Sequence, residues 1–214
     1  MRLDETMQRI FNSFPDHEYI AYLSGEDNFR KKEYPDYKAN RTKPKPNWLM
    51  SCRIHLVDNY KAKIVNGYEA DDAIGIAAGD ATIIVSIDKD LRTIAGTHYN
   101  FVKDELFTVS EHEAAYNFWT QMLVGDTSDN VYGINGIGPV KAARALAGLD
   151  PIEMEELVKH MYGDEEHYNK NLRLLTILRE EPLYDPTISE GERQNPSQTS
   201  TGAVAEEVPT TGER

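Results

Sequence analysis

An α/β fold is what the sequence predicts, and three observations carry it. Strand-like runs, "HEYIAYLS" at 17–24, "KAKIV" at 61–65 and "ATIIVSI" at 81–87, are separated by segments whose apolar residues recur at helical spacing. The last run is almost continuously apolar and β-branched, as in a central parallel strand covered on both faces. Beyond residue 110 the spacing is helical, so an α/β part is followed by a helical one.

Taken in order, residues 2–13 are expected to form a helix ahead of the first strand. The segment 28–47, "NFRKKEYPDYKANRTKPKPN", is broken by Pro35, Pro44 and Pro46 and reads as a flexible or locally helical excursion. A helix over 48–60, the strand 61–65, a turn at Gly67 and a helix over 69–78 follow, the last packing through Ala73, Ile74, Ile76 and Ala77. After the strand 81–87, a short strand is expected at 97–102, then a helix over 110–123 opened by a Ser110 and Glu113 capping box. Helices at 139–147, 151–162 and 165–179 complete the pattern. Residues 186–214 are rich in Pro, Ser, Thr, Gly and Glu and are expected to be disordered. The expected division is therefore 1–125, 126–185 and a tail.

No apolar run approaches the roughly 20 residues needed to cross a bilayer, and the start "MRLDETMQRIFNSF" lacks a signal-peptide core, so an intracellular protein away from membranes is expected. One cysteine, Cys52, excludes an internal disulfide and a cysteine-based zinc site; it is expected in the core. The net charge of −13 argues against nucleic-acid binding, but its distribution weakens that objection. Arg30, Lys31, Lys32, Lys38, Arg41, Lys43 and Lys45 crowd one segment against only Glu33 and Asp36. A solvated loop is the alternative reading of that segment. Its aromatics Phe29, Tyr34 and Tyr37 suit either stacking on bases or anchoring on the core.

The carboxylates are more informative. Asp88 and Asp90 follow the 81–87 strand directly, where open parallel sheets place their ligands. Glu69, Asp71 and Asp72 occupy the first turn of the next-upstream helix, where capping and the helix dipole are a sufficient explanation by themselves. A third group, Asp126 and Asp129 in "LVGDTSDNVYG", is not covered by that explanation. Carboxylates converging in one crevice raise one another's pKa and call for neutralisation by a hard divalent cation, Mg²⁺ or Mn²⁺. Two such ions could activate a water and stabilise the oxygens of a phosphoryl transfer.

"GINGIGPVKAARAL" at 133–146 places Gly136 and Gly138 ahead of a helix that has Pro139 in its first turn and Lys141 and Arg144 beyond. Its N-terminal amides could accept a phosphate, as in a helix-hairpin-helix element reading a nucleic-acid backbone. A bare glycine turn is the alternative; a dinucleotide fingerprint fits less well, because no strand is expected just before the glycines.

Together, "FRKKEYPDYKANR" (29–41), "YEADDAIG" (68–75), "VSIDKDL" (85–91) and "GDTSDNVYGINGIGPVKAA" (125–143) resemble the bacterial and bacteriophage 5′-nuclease family, flap endonucleases and 5′→3′ exonucleases related to the 5′-nuclease domain of DNA polymerase I. The resemblance implies a parallel-sheet, PIN-like core with an arch-like segment at 28–47, followed by a helix-hairpin-helix region. It implies two divalent ions held by Glu69, Asp71, Asp72, Asp88, Asp90, Asp126 and Asp129, with Asp71, Asp88 and Asp126 closest to the chemistry. Lys38 and Arg41 match the arch motif and are expected to hold phosphate beside the metals. Arg30, Lys38, Arg41, Gly136, Gly138 and Lys141 are the implied DNA contacts, and K⁺ at the hairpin belongs to the same expectation.

The implied activity is hydrolysis of DNA at 5′ ends or flaps by a cytoplasmic monomer, in a bacterial cell or encoded by a phage. Two departures stand against it. The family's opening strand with a terminal aspartate has no counterpart, since Asp4 lies in a polar stretch, and Ser24 stands where a second strand-end aspartate is expected, with Glu26 or Asp27 as displaced substitutes. A truncated chain or a separately encoded N-terminal segment is therefore expected. A non-catalytic DNA-binding remnant and an RNase of related fold are the alternatives.

Overall fold

Two parallel strand pairs share one helix in the computed structural model, which describes residues 2–181. β1 (Tyr22–Asn28) pairs with β2 (Lys63–Gly67), in register Tyr22 to Lys63 and Ser24 to Val65. β3 (Ile83–Val85) pairs with β4 (Gly96–Asn100), which also pairs antiparallel with β5 (Glu105–Val109). The helix between them, α4 (Ala70–Ala77), packs on β1 and sends Ile74 against the cluster of Ile84, Leu91, Ile94 and Ile177.

The expected single parallel sheet is thus corrected to two hydrogen-bonded pieces, one of them mixed. The 81–87 run gives only a three-residue ladder, and Ser86 turns to accept the Asp88 N–H on its hydroxyl. β1 begins at Tyr22, not at 17, and β5 was missed, although Phe107 and Val109 face in while Leu106 and Thr108 are exposed. Ala21 offers its carbonyl to Lys63 N–H, so the alternate residue Ser24 turns its carbonyl to the opposite edge, where Arg53 Nη2 donates to it at 2.5 Å.

The other elements are α1 (Arg2–Ser13), α2 (Phe29–Glu33), α3 (Leu49–Tyr60), a 3₁₀ turn at Asp90–Thr93, α5 (Glu111–Val124), the two-residue strands β6 (Gly125–Asp126) and β7 (Val131–Tyr132), α6 (Pro139–Leu146), α7 (Pro151–Tyr162) and α8 (Glu165–Leu175). Ser110 and Glu113 cap α5 reciprocally. Asp150 and Asp164 cap α7 and α8 in the same manner of side chain to amide. The tail at 186–214 lies outside the described residues.

α5 is the packing centre. Its Trp119, Met122 and Leu123 meet Ala142 and Leu146 of α6, Met154 and Val158 of α7, and Tyr168, Leu174 and Leu175 of α8, each large side chain contributing about 1.5–3 kcal/mol by burial. Tyr37 of the basic segment enters the same cluster. The expected boundary at 125/126 falls inside one compact unit for this reason. Cys52, expected in the core, is instead partly exposed on α3, a helix with no fully buried residue. Among the described residues no helix is long and apolar enough to cross a membrane.

Candidate metal and nucleic-acid site

The basic segment folds down onto the acids. Lys38 N–H donates to Asp129 O at 2.8 Å, Asn40 Nδ2 to Thr127 O at 2.6 Å, and Asn130 Nδ2 back to Asp36 O at 2.9 Å. Lys38 adopts φ of 59° to make this turn. Its ammonium then reaches Glu69 Oε1 and Oε2 at 2.6 and 2.8 Å, and lies 3.4 Å from Asp129 Oδ2. Arg41 Nη2 pairs with Asp129 Oδ1. The Tyr37 hydroxyl lies 2.8 Å from Glu69 Oε2 and 3.2 Å from Asp129 Oδ2, within hydrogen-bond reach of both. Glu69 and Asp129, sixty residues apart in sequence, are therefore held together by Tyr37 and Lys38.

Asp90 opens the 3₁₀ turn and accepts from Gln121 Nε2 at 3.1 Å, while Asp88 Oδ1 accepts the Asp90 N–H at 3.0 Å. Burial, and then repulsion by Asp88 and Asp126, raise Asp90 to a pKa of about 6. Asp71 is likewise raised to about 6, by burial first and then by Asp72 and Glu69. Asp126 moves the other way: burial opposes its ionisation, but the Ser128 hydroxyl and N–H, at 2.7 and 2.8 Å, hold it below the ordinary carboxylate range. Gly125 supplies the approach to Asp126 in a glycine-only conformation, φ 79° and ψ −178°, with its Cα face against Gly133.

Two expected site residues are placed elsewhere. Arg30 and Asp72 are 2% and 0% exposed and pair with each other, at 2.5 and 2.8 Å. Arg30 also donates to Leu174 O and Thr176 O, and Asp72 accepts the N–H groups of Glu69 and Leu178 at 3.0 Å each. The two form an internal clamp, with Arg30 Nη1 also 3.7 Å from Glu69 Oε2, so Asp72 as a metal ligand and Arg30 as a DNA contact would each have to give up these partners. Burial opposes ionisation of Asp72, yet Arg30 keeps it below the ordinary range.

The glycine turn forms, with Gly136 at φ 77° and Lys141 Nζ donating back to Gly136 O at 2.8 Å. It is entered from β7, not from a helix, because α5 ends at Val124 and 127–130 is a run of turns between β6 and β7. Gly138 caps α6, and Pro139 takes its first position. Ser24, in the place of the expected acid, accepts the Ala70 N–H on its hydroxyl at 2.9 Å.

Among the described residues no group of three or more acidic, His or Cys side chains converges closely enough to cage an ion. The donor set is nevertheless all hard oxygen, which suits Mg²⁺ or Mn²⁺, and Asp71 and Asp90 are raised by burial first and by neighbouring carboxylates second. Lys38 supplies cationic charge at its centre. Tyr37, Gln121 and Ser128 organise these acids and were not singled out for that role by spacing; only the alternation of aromatic and charge in 29–37 hinted that Tyr37 anchors the segment.

Glu69 and Asp129, bridged by a basic segment on an α/β core backed by helices, are the features that bear on the class of protein. The chain belongs to the family described as 5′-3′ exonuclease, N-terminal resolvase-like domain, whose family model matches residues 3–119. It is 32% identical over 191 residues to DNA polymerase I of Borreliella burgdorferi, covering 79% of this chain and 20% of that protein. It is 30% identical over 151 residues to flap endonuclease Xni of Shewanella denitrificans, 62% of this chain and 60% of that protein. The chain thus spans about a fifth of the DNA polymerase I relatives it matches. Among solved structures, T5 5′-exonuclease with bound zinc superposes with a TM-score of 0.60 at 18% identity, over 81% of this chain and 79% of that one. The likeness is one of fold.

Proposed function

We propose that the chain is a divalent-metal-dependent nuclease that hydrolyses DNA phosphodiesters at 5′ ends or flaps, in replication or repair. The observation that carries this reading is the convergence of Glu69 and Asp129 on Lys38, beside Asp71 and Asp90, which are raised by burial and then by neighbouring carboxylates. Glu69, Asp71, Asp88, Asp90, Asp126 and Asp129 would hold Mg²⁺ or Mn²⁺, and the cations would supply an activated water and charge stabilisation at the phosphoryl oxygens. Lys38 and Arg41 would exchange their carboxylate partners for a DNA phosphate, and Tyr37 keeps Glu69 and Asp129 oriented while they do so. The turn at Gly136 and Gly138, with Lys141, would hold the duplex backbone, with K⁺ at the hairpin. The PIN-like sheet, a monomeric state and a cytoplasmic location complete the proposal. An extended segment supplied by another polypeptide would add to the edge of β1 that Arg53 now caps.

A 5′-labelled flap and a nicked duplex, each with Mg²⁺ or Mn²⁺, test this reading: metal-dependent shortening from the 5′ end is expected, and absence of product at every metal concentration removes it. A non-catalytic DNA-binding role is the second reading, favoured by the commitment of Asp72 to Arg30 and by Ser24 in an acid's place. It predicts binding in chelator without cleavage when metal is restored.

A further inference from the structure

β6 and β7 are two residues each, Gly125 facing Tyr132 and Asp126 facing Val131. A ladder this short does not hold its own geometry, so the turn it carries, with Ser128 and Asp129, stands where outside contacts put it. Two sets of contacts fasten β7 and its continuation. On the α5 side, Val131 is buried in the helical core, and Ile134 N–H donates to Leu123 O at 2.9 Å. On the α8 side, the Tyr132 carbonyl accepts from Asn171 Nδ2 at 2.8 Å and from His167 Nε2 at 2.9 Å, two residues one helical turn apart.

The donors are matched to that oxygen. Asn171 is 2% exposed, and the two hydrogens of its Nδ2 are spent on Tyr132 O and on the Tyr162 hydroxyl, 2.9 Å away. Tyr162, the last residue of α7, extends the network by donating to Met122 O of α5 at 2.5 Å. A carbonyl only accepts, so the His167 nitrogen facing it carries hydrogen. The neutral Nε2–H tautomer and the imidazolium both meet that need, and the bond persists across pH. A polar network whose donors are all placed holds one arrangement. Tyr132 is also a junction in the chain: Asp126 and Asp129 precede it, and Gly133, which opens the glycine turn, follows it directly.

We propose that Asn171 and His167 are positioning residues, which pin the Tyr132 carbonyl to α8 and so hold the 126–129 acids and the glycine turn at one fixed spacing. The inference rests on the reading of those acids as metal ligands and of that turn as the duplex holder, and adds what sets the distance between them.

Calorimetric titration of the full chain and its variants with Mn²⁺ tests it, beside urea transitions and kinetics on a 5′-labelled flap. Asn171→Asp keeps the side chain's shape but sets a carboxylate against the carbonyl. Mn²⁺ binding about 10- to 100-fold weaker is expected, with a fall in kcat at unchanged KM for the flap. His167→Leu should weaken Mn²⁺ binding about 2- to 10-fold, the worth of one hydrogen bond, and His167→Gln, which keeps an N–H donor, should restore it. Tyr162→Phe separates positioning from packing. It loses the bond to Met122 O but leaves Tyr132 O pinned, so it should lose stability and keep the parent's Mn²⁺ affinity. Unchanged Mn²⁺ affinity in Asn171→Asp and His167→Leu, or a loss in Tyr162→Phe or His167→Gln that matches theirs, overturns the proposal while sparing the metal reading. Should Asn171→Asp fail to fold, the His167 pair decides alone. No Mn²⁺ uptake by the parent chain overturns both.

Discussion

Arg30 and Asp72 form a two-bond ion pair inside the protein and together fasten three separate stretches of chain. Arg30 lies in α2, Asp72 in α4, and apart from the Glu69 N–H that Asp72 accepts, their remaining hydrogen bonds go to Leu174, Thr176 and Leu178 at and after the end of α8. The clamp ties the base of the basic segment to the helix that presents Glu69 and Asp71.

Removing one partner leaves an uncompensated charge in the interior. Arg30→Met and Asp72→Asn are each expected to lower unfolding stability by about 3–5 kcal/mol, read from urea transitions. The double replacement Arg30→Met with Asp72→Leu should cost less than the sum of the single ones, because no charge is stranded. Calorimetry on folded Asp72→Asn should find Mn²⁺ uptake of unchanged stoichiometry. A loss below about 1 kcal/mol, or a missing ion, would return Asp72 to the metal site.

Lys38 competes with any cation for Glu69 and Asp129. Lys38→Met is expected to bind Mn²⁺ about tenfold more tightly by calorimetry, equivalent to about 1.4 kcal/mol. Flap cleavage should fall by about 10²–10³, since a cationic donor to the phosphate is gone. Weaker Mn²⁺ binding in this variant would mean that the ammonium organises the acids more than it competes.

Much of this arrangement was legible in sequence where one local rule decided it. The capping pair Ser110 and Glu113, Pro139 at the start of α6, and the acids placed just after β3 all depend on neighbours within a few residues. Asp72 shows the limit. In "EADD" it is one of three equivalent acids; only the return of the chain at Leu174 to Leu178 and the inward turn of Arg30 single it out. Likewise, β3 was expected to be long because its apolar run is long, but ladder length depends on the partner strand, and β4 offers only Thr97, His98 and Tyr99 to it. The docking of Lys38 on Glu69 needs an unusual positive φ in a lysine, which no composition signals.

The raised Asp71 and Asp90 and the lowered Asp72 and Asp126 give opposite pH signs. A carboxyl whose folded pKa is about 6 contributes stability fully below its unfolded value near 4, and loses it as pH rises through 6. Asp72 and Asp126 contribute above their ordinary pKa and lose that in acid. The metal-free protein should therefore gain from Asp71→Asn or Asp90→Asn at pH 7.5, on the order of 1–2 kcal/mol allowing for solvent screening, and gain almost nothing at pH 4.5. Mn²⁺ should raise the melting temperature more at pH 7.5 than at pH 5. Equal shifts at both pH values would show that these acids are neither repelled nor relieved by the ion.

Gly125 sets where Asp126 stands. A Cβ there would lie 2.3 Å from Gly133 N and 2.5 Å from Val131 O, both backbone atoms of the facing strand and turn. Its φ of 79° with ψ of −178° is open to glycine almost alone, and forcing another residue into it costs about 1–3 kcal/mol before the clash is counted. Gly125→Ala is therefore expected to separate β6 from β7, moving Asp126 away from Asp90, and to lose Mn²⁺ affinity along with about 2–4 kcal/mol of stability. Gly136→Ala is the control: its φ of 77° is similar, but among the described residues nothing lies within 4 Å of the added carbon. That variant should lose about 1 kcal/mol and keep its Mn²⁺ affinity. If both variants bind Mn²⁺ like the parent chain, the close contact of Gly125 with Gly133 has no part in holding the acids.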